Sequence, residues 1–449
     1  IVVEADGKTW TLPLTVHVSE RVVPDTPCVQ MDHNSYGARW LPSLYPNAFV
    51  GLSPGKRYWK KSIDYLHHYY RLVHEHRGTF HNLGYGHSGA VDPIYAPAVK
   101  GAGRTRRLDD WDLYDRHYGP LLDGSAFRKS APGMPSARRP AVPVWGVYTP
   151  VNPDWPASYL WWGEAGYDVE FTRGLAQFND HLRSRGWTRA RMEFLLNHKK
   201  RYRWYEWDGD EPKYAKDHAY HLKMGQLLRK AVGDTPVPWA YRMDASWQMK
   251  HEFEALANTV DFWVCGGFVN WYPEEIQRVI ARGDTVWWYG STPTIGRPSG
   301  EILQNVYKTW VRGLGGYCAW LTVNPGSDPW YDCDGAETGS LYPGERFGIS
   351  GPIPSARLKI QRNGIQDIDL INQAAKDIGN LEAVRRRLAD RIKITLWKRP
   401  PRAALELPPE DWDSRNLSEG IEPGTQKPEE LDPMWWLPLR NAALNGEVS

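Results

Sequence analysis

The feature that most constrains this chain is a repeated switch of hydrophobic period. From Cys28 onward, short apolar runs alternate with longer segments whose apolar residues recur every three to four positions. The short runs read as buried strands and the longer ones as amphipathic helices. The strand-like runs are CVQMDHNSY from Cys28, TFHNLGYGHSG from Thr79, VPVWGVYTP from Val142 and RMEFLLNHK from Arg191. They continue with VPWAYRMDA from Val237, VDFWVCGGFVNWY from Val260, TVWWYG from Thr285 and GYCAWLTVN from Gly316. Helical spacing covers 58–78, 170–187, 217–234, 273–284, 300–315 and 363–392. Gly78 stops the first of these, and Asp217 stands where an N-cap belongs. The stretch 90–140, rich in Pro, Gly and Arg, reads as irregular.

Eight such alternations over roughly 350 residues predict an α/β fold, a (β/α)8 TIM-type barrel with long loops above the strand ends. The rival is a doubly wound open sheet, but no GxGxxG or P-loop sequence follows any of these strands. Residues 27–400 are assigned to the barrel. Residues 1–26 read as a β-hairpin turning at Asp6-Gly7, a short N-terminal β segment. A lone hairpin is marginal in water, so it is expected to pack on the rest or to complete an upstream β-sandwich. Because Ile1 is not a methionine, an upstream piece is expected. Residues 401–449, rich in Pro and acid, read as an extended C-terminal strap anchored by Trp435 and Trp436, or as partly disordered.

Charge narrows the partners. The 55 basic and 53 acidic residues leave a net +2, which offers no nucleic-acid footprint. No apolar run approaches the roughly 20 residues that span a bilayer. Cys28, Cys265, Cys318 and Cys333 lack ligand spacing, and the middle two read as packed thiols. The 24 Trp and 24 Tyr against 10 Phe are unusual. Indole and phenol join a flat apolar face to a hydrogen-bonding tip. The surplus serves either a Trp-rich core or a cleft that stacks against sugar rings.

In such a barrel the site lies at the C-terminal strand ends. The polar and aromatic residues there are Asp32, His33 and Asn34, then His81, Tyr85 and His87, then Tyr148. Asn197 and His198 follow the fourth strand and Asp244 the fifth. Asn270 and Trp271 follow the sixth, and Trp287, Trp288, Tyr289 and Trp320 lie on the last two. No serine elbow or HExxH motif occurs. His33, His81, His87 and His198 have no metal spacing, so neither a metal nor a cofactor is expected. The sharpest motif is WDGDEP, which crowds Asp208, Asp210 and Glu211 into four residues. Like charges so close push one pKa upward, which suits a glycosidase acid. The same residues also suit a solvated acidic turn before a helix.

Several motifs in order carry a resemblance. WWYGSTP, WVRGLGGYCAWLTVN, DPWYDC and LYPGERFGISGPIPSARLKIQRNGIQDIDLI resemble the C-terminal half of the DUF4091 type of glycoside hydrolase. That type is similar to the family 123 glycoside hydrolases, bacterial β-N-acetylgalactosaminidases. The match is continuous over about a hundred residues, by motif order, and DEP at 210–212 is a further family mark. Gln366 and Ile368 depart from the family pattern in the final helix. The resemblance implies a barrel preceded by a β-sandwich, a carbohydrate substrate and a location outside the cytoplasm. It implies substrate-assisted retaining hydrolysis of a terminal N-acetylhexosamine, with Glu211 as general acid/base and Asp210 holding the 2-acetamido group. Trp287, Trp288, Tyr289 and Trp320 would wall the sugar, and Arg357 and Arg362 would buttress the barrel by ion pairing. Two other readings remain: a glycosidase on a polysaccharide lacking the acetamide, using Asp32, Asp208 or Asp244, and a non-catalytic carbohydrate-binding barrel.

Overall fold

A computed structural model describes residues 2–16, 18–84, 95–128, 146–148, 164–199, 207–212, 214–246, 249–266, 269, 272–323, 328–331, 339–391 and 434–445. Eight parallel strands make one sheet. They are β1 (Gln30–Tyr36), β2 (Thr79–Leu83), β3 (Gly146–Tyr148) and β4 (Arg191–Leu195). Then come β5 (Trp239–Ala245), β6 (Phe262–Cys265), β7 (Thr285–Gly290) and β8 (Gly316–Val323). Their spatial order is β2-β1-β8-β7-β6-β5-β4-β3. This is chain order wrapped round on itself. Among the described residues β2 and β3 lie side by side without a ladder. The sheet is therefore a nearly closed, TIM-barrel-like cylinder.

A helix follows every strand. The set is α1 (Lys56–Glu75), α2 (Asp112–Leu122), α3 (Tyr167–Ser184), α4 (His218–Val232), α5 (Met249–Ala255), α6 (Pro273–Ala281), α7 (Gly300–Val311) and α8 (Ala356–Asp377). Two more, α9 (Leu381–Arg391) and α10 (Leu437–Asn445), pack on this ring.

Strand register decides which side chains share the inner face, because neighbours across a parallel ladder point the same way. Val264 aligns with Asp244 and Trp287, Trp287 with Gly316, and Cys318 with Tyr289 and Asp32. Asn34 aligns with His81 in turn. The intervening residues, Met192, Met243, Trp263, Val286 and Met31 among them, are buried beneath the helices. Gly316 is required where it stands: a Cβ there would lie 2.4 Å from the Trp287 ring.

The observed elements correct several expectations. The irregular stretch contains α2, whose pattern Gly119-Pro120 disguised, and a small hairpin of 98–100 with 107–109. The last long helix is two, broken where Gly379 adopts φ 68°. Asp217 does not cap α4 with its side chain; a 3-10 turn (Ala215–Asp217) leads the chain in instead. The hairpin forms as expected, with Asp6 and Gly7 both at positive φ, yet every residue of its two strands is exposed. Cys265 and Cys318 are buried free thiols. Helix α10 docks through Leu439 and Ala443, and Arg440 clasps the Asp367 carboxylate at 2.6 and 2.8 Å.

Many histidines lie inside. Burial holds His33 and His67 down to about 4, His221 to about 3, and His117 well below its usual value. The unfolded chain binds these protons near pH 6.5, so stability is complete above that pH and drains away as pH falls toward 4. At His33, whose value falls from 6.5 to about 4, the contribution to that loss is about 3 kcal/mol. Urea midpoints measured from pH 7.5 to 4.5 are expected to fall steeply below 6.5. A flat profile would contradict the burial of these rings.

Candidate active site

The interior of the cylinder is charged at mid-height. Arg242 of β5 donates to Glu193 of β4 at 2.9 Å and to both oxygens of Asp244 at 2.8 and 3.2 Å. Arg191 adds a second bond to Glu193 at 3.0 Å. Burial would raise the Glu193 pKa, but His81, Arg191 and Arg242 hold it down to about 2. Across the barrel, Asp32 pairs with His81 at 2.7 Å, and Asn34 donates to the Cys318 sulfur at 2.9 Å. Against these charges lie two inner rings: Phe262 meets Trp287 edge to face with centroids 4.9 Å apart, and the Arg191 guanidinium lies 4.0 Å from the Phe262 ring centroid. Above them, at the C-terminal mouth, sits the acid pair.

The loop after β4 delivers that pair. Gly209 donates its N–H to the His198 carbonyl at 2.9 Å. A Cβ at Gly209 would lie 2.5 Å from both His198 Cε1 and the Leu196 carbonyl, so only glycine lets the loop turn so tightly. Glu211 then takes a left-handed φ of 51°. For a non-glycine residue this costs about 1–3 kcal/mol and persists only where its surroundings enforce it. Here its N–H is tied to the Asp244 carbonyl at 3.1 Å.

Donors surround the Glu211 carboxylate. Ser246, just past β5, donates to Oε1 at 2.6 Å, and the Tyr289 hydroxyl of β7 donates to the same oxygen. Lys199 Nζ donates to Oε2 at 2.9 Å and lies 3.2 Å from Asp210 Oδ2. Lys199 and Asp210 are nearly buried, whereas the Glu211 side chain is 23% exposed. Burial, only partly offset by Lys199 and reinforced by Glu211 and Asp244, pushes Asp210 up to about 8. Burial would raise Glu211 too, but Lys199, Ser246 and Tyr289 outweigh it and leave its pKa lowered. Desolvation is likewise the main cause of the raised pKa of Asp244. Farther back, Glu252 of α5 is fully buried, and neither carboxyl oxygen has a hydrogen-bond partner among the described residues. Burial, then Asp217 and Glu211, raise its pKa.

The structure brings together Asp210, Glu211, Asp244 and Tyr289 at the mouth, with Asp32 and His81 on the same inner wall. Asn197 is buried beside the loop that carries the pair. Trp320 meets Tyr36 edge to face at 5.9 Å. Three expected residues lie elsewhere. His33 points outward, its ring nitrogens 2.9 Å from Thr322 Oγ1 and 2.9 Å from Gln361 Nε2 of α8. Trp288 also faces the helices and donates to Thr309 of α7 at 2.7 Å. Trp287 is inside, packed against Phe262 and the Arg191 guanidinium. For His33 and Trp288 the correction follows from the two-residue period: neighbours on one strand cannot both face the mouth. His198 packs edge to face on Trp207, with centroids 4.2 Å apart, under the loop. Arg357 donates to the Thr294 and Pro293 carbonyls and Arg362 to Asn363, so their bonding is to neutral acceptors. Tyr85, His87, Asn270 and Trp271 lie outside the described residues, as does the Tyr148 side chain.

Sequence reasoning missed Lys199, Ser246, Tyr36 and Arg242. Three of these were within reach. Tyr36 and Ser246 lie two residues beyond Asn34 and Asp244, and Arg242 two before it, so all share the inner parity. Lys199 carried no periodic signal. No protein-family model matches the sequence, and no curated protein matches it. The site must be read from its own chemistry.

Arg242 is buried between two carboxylates, and its removal leaves Asp244 without its cation and Glu193 with Arg191 alone. Arg242→Leu is expected to cost about 3–5 kcal/mol in urea denaturation. A loss under about 1 kcal/mol would show that the chain of charges is not needed.

Proposed function

We propose that this protein is a glycoside hydrolase that removes a terminal N-acetylhexosamine, of the β-N-acetylgalactosamine kind, by substrate-assisted retaining catalysis. The observation that carries this reading is the adjacent pair Asp210–Glu211 at the barrel mouth, with opposite pKa directions imposed by its surroundings. Glycoside cleavage needs one carboxyl that gives a proton to the leaving oxygen and one that stays charged. Two neighbouring side chains on one loop meet both needs when a single lysine and two hydroxyls pull them apart.

The partners of the pair fit the same chemistry. Tyr289 and Ser246 donate to one Glu211 oxygen and hold that carboxylate in place at the mouth, as a positioned catalytic group requires. Tyr36 and Trp320 supply aromatic faces above the inner wall, and ring faces of this kind pack against the apolar side of a pyranose. A binding barrel without catalysis has no use for a left-handed glutamate held by three donors at the mouth. The carbohydrate substrate and a site of action outside the cytoplasm belong to this reading too.

Glu211→Gln is expected to lower kcat/KM on 4-methylumbelliferyl N-acetyl-β-D-galactosaminide at least a thousandfold while leaving the circular-dichroism melt within a few degrees. Full activity in that variant would remove Glu211 from the mechanism. A thiazoline mimic of the cyclised sugar should inhibit the wild type competitively. Insensitivity to it, together with activity on glycosides lacking the acetamide, would point to ordinary double displacement.

A further inference from the structure

We infer that Lys199 is a positioning residue of the acid pair: its ammonium, set between Asp210 and Glu211, ties the two carboxyls together and keeps one proton and one negative charge between them. This role rests on the glycosidase reading above and deepens it.

The contacts carry it. Lys199 Nζ lies 2.9 Å from Glu211 Oε2 and 3.2 Å from Asp210 Oδ2, and its side chain is only 6% exposed. Lysine is almost never enclosed in this way unless its charge is paired. The backbone holds the bridge in register. The His198 carbonyl, one residue before Lys199, accepts the N–H of Gly209, one residue before Asp210, at 2.9 Å. The two arms of the loop are thus pinned beside the ammonium. Burial would lower the Lys199 pKa, but Asp210 and Glu211 outweigh it and raise it, so the side chain stays charged.

Among the described residues, the other titratable groups facing this triad are Asp244 of β5, Tyr36 of β1, Tyr289 of β7 and Glu252 of α5. Ser246 faces it as a neutral donor, and Arg242 lies behind Asp244, bonded to it and to Glu193. With Lys199 charged and one proton on the pair, the three groups are neutral together. Losing that proton would leave a net negative charge beside Asp244. Gaining a second would leave a buried ammonium with no anion. Each change is resisted by the desolvation of the unbalanced charge. The one-proton state is also the state hydrolysis requires, in which Glu211 gives a proton to the leaving oxygen and Asp210 stays charged against the acetamide N–H. The two ionisations belong to the pair as a unit. A cation beside a carboxyl lowers its pKa by about 1–3 units, so without Lys199 both ionisations move to higher pH.

The test is the pH profile of kcat/KM on 4-methylumbelliferyl N-acetyl-β-D-galactosaminide, measured on the whole chain. Lys199→Met is expected to move both limbs upward by about 1–3 units and to lower kcat about a hundredfold at the wild-type optimum. KM should stay within about threefold, because Lys199 touches the carboxyls and not the sugar. Lys199→Arg retains the charge and should keep both limbs in place. Lys199→Cys gives a second measurement on folded protein. Alkylation with 2-bromoethylamine restores an ammonium at nearly the same reach and should return the limbs, whereas iodoacetamide adds a neutral group of similar size and should not. Wild type treated with each reagent is the control. If Lys199→Met fails to fold or is too slow to profile, the two alkylations decide alone. Limbs that stay in place in Lys199→Met overturn the role of Lys199, as does equal recovery with both reagents or recovery with neither; each of these leaves the glycosidase reading standing. A wild type that does not cleave the substrate removes the glycosidase reading, and the role of Lys199 with it.

Discussion

The structure depends on one guanidinium. Arg242 stands at mid-height in the barrel, bonded downward to Glu193 and upward to Asp244. Burying these charges separately would be prohibitive; arranged as alternating signs, they satisfy one another. The arrangement does more than tolerate polarity in a core. It anchors Asp244 rigidly, and the Asp244 carbonyl receives the Glu211 amide. The backbone conformation of the acid loop is thus tied to charges in the middle of the cylinder.

Above that anchor the site separates two chemically similar groups. Asp210 and Glu211 differ by one methylene and one position in the chain, yet their surroundings drive their pKa values in opposite directions. Exposure alone would not do this, since both are largely shielded. The difference lies in donor count. Elements distant in sequence converge on Glu211: Lys199 after β4, Ser246 after β5 and Tyr289 on β7. A barrel mouth permits this because neighbouring strand ends lie within hydrogen-bond reach of one loop.

Much of this architecture was legible in the sequence, and the exceptions have physical causes. All eight strands lie within the runs identified from the sequence, because short runs rich in apolar and aromatic residues and bounded by turn residues mark buried strands. The same property hid which residues face inward. TVWWYG contains three consecutive aromatics, and only ladder register shows that Trp287 and Tyr289 share the inner face while Trp288 lies under the helices. Helix α2 was concealed by Gly119-Pro120, residues that locally argue against a helix and that tertiary packing overrode. The acid pair was visible as a charge cluster. Its lysine was not, because a cation after a strand end has no partner that spacing can name.

Glu252 carries a separate implication. Its carboxyl is enclosed with no hydrogen-bond partner among the described residues, and burial, then Asp217 and Glu211, raise its pKa, so the folded protein holds that proton to a higher pH than the disordered chain does. Unfolding at a pH between the native and disordered values of this carboxyl releases its proton into the medium, and the calorimetric enthalpy of that transition shifts with the ionisation heat of whichever buffer absorbs it.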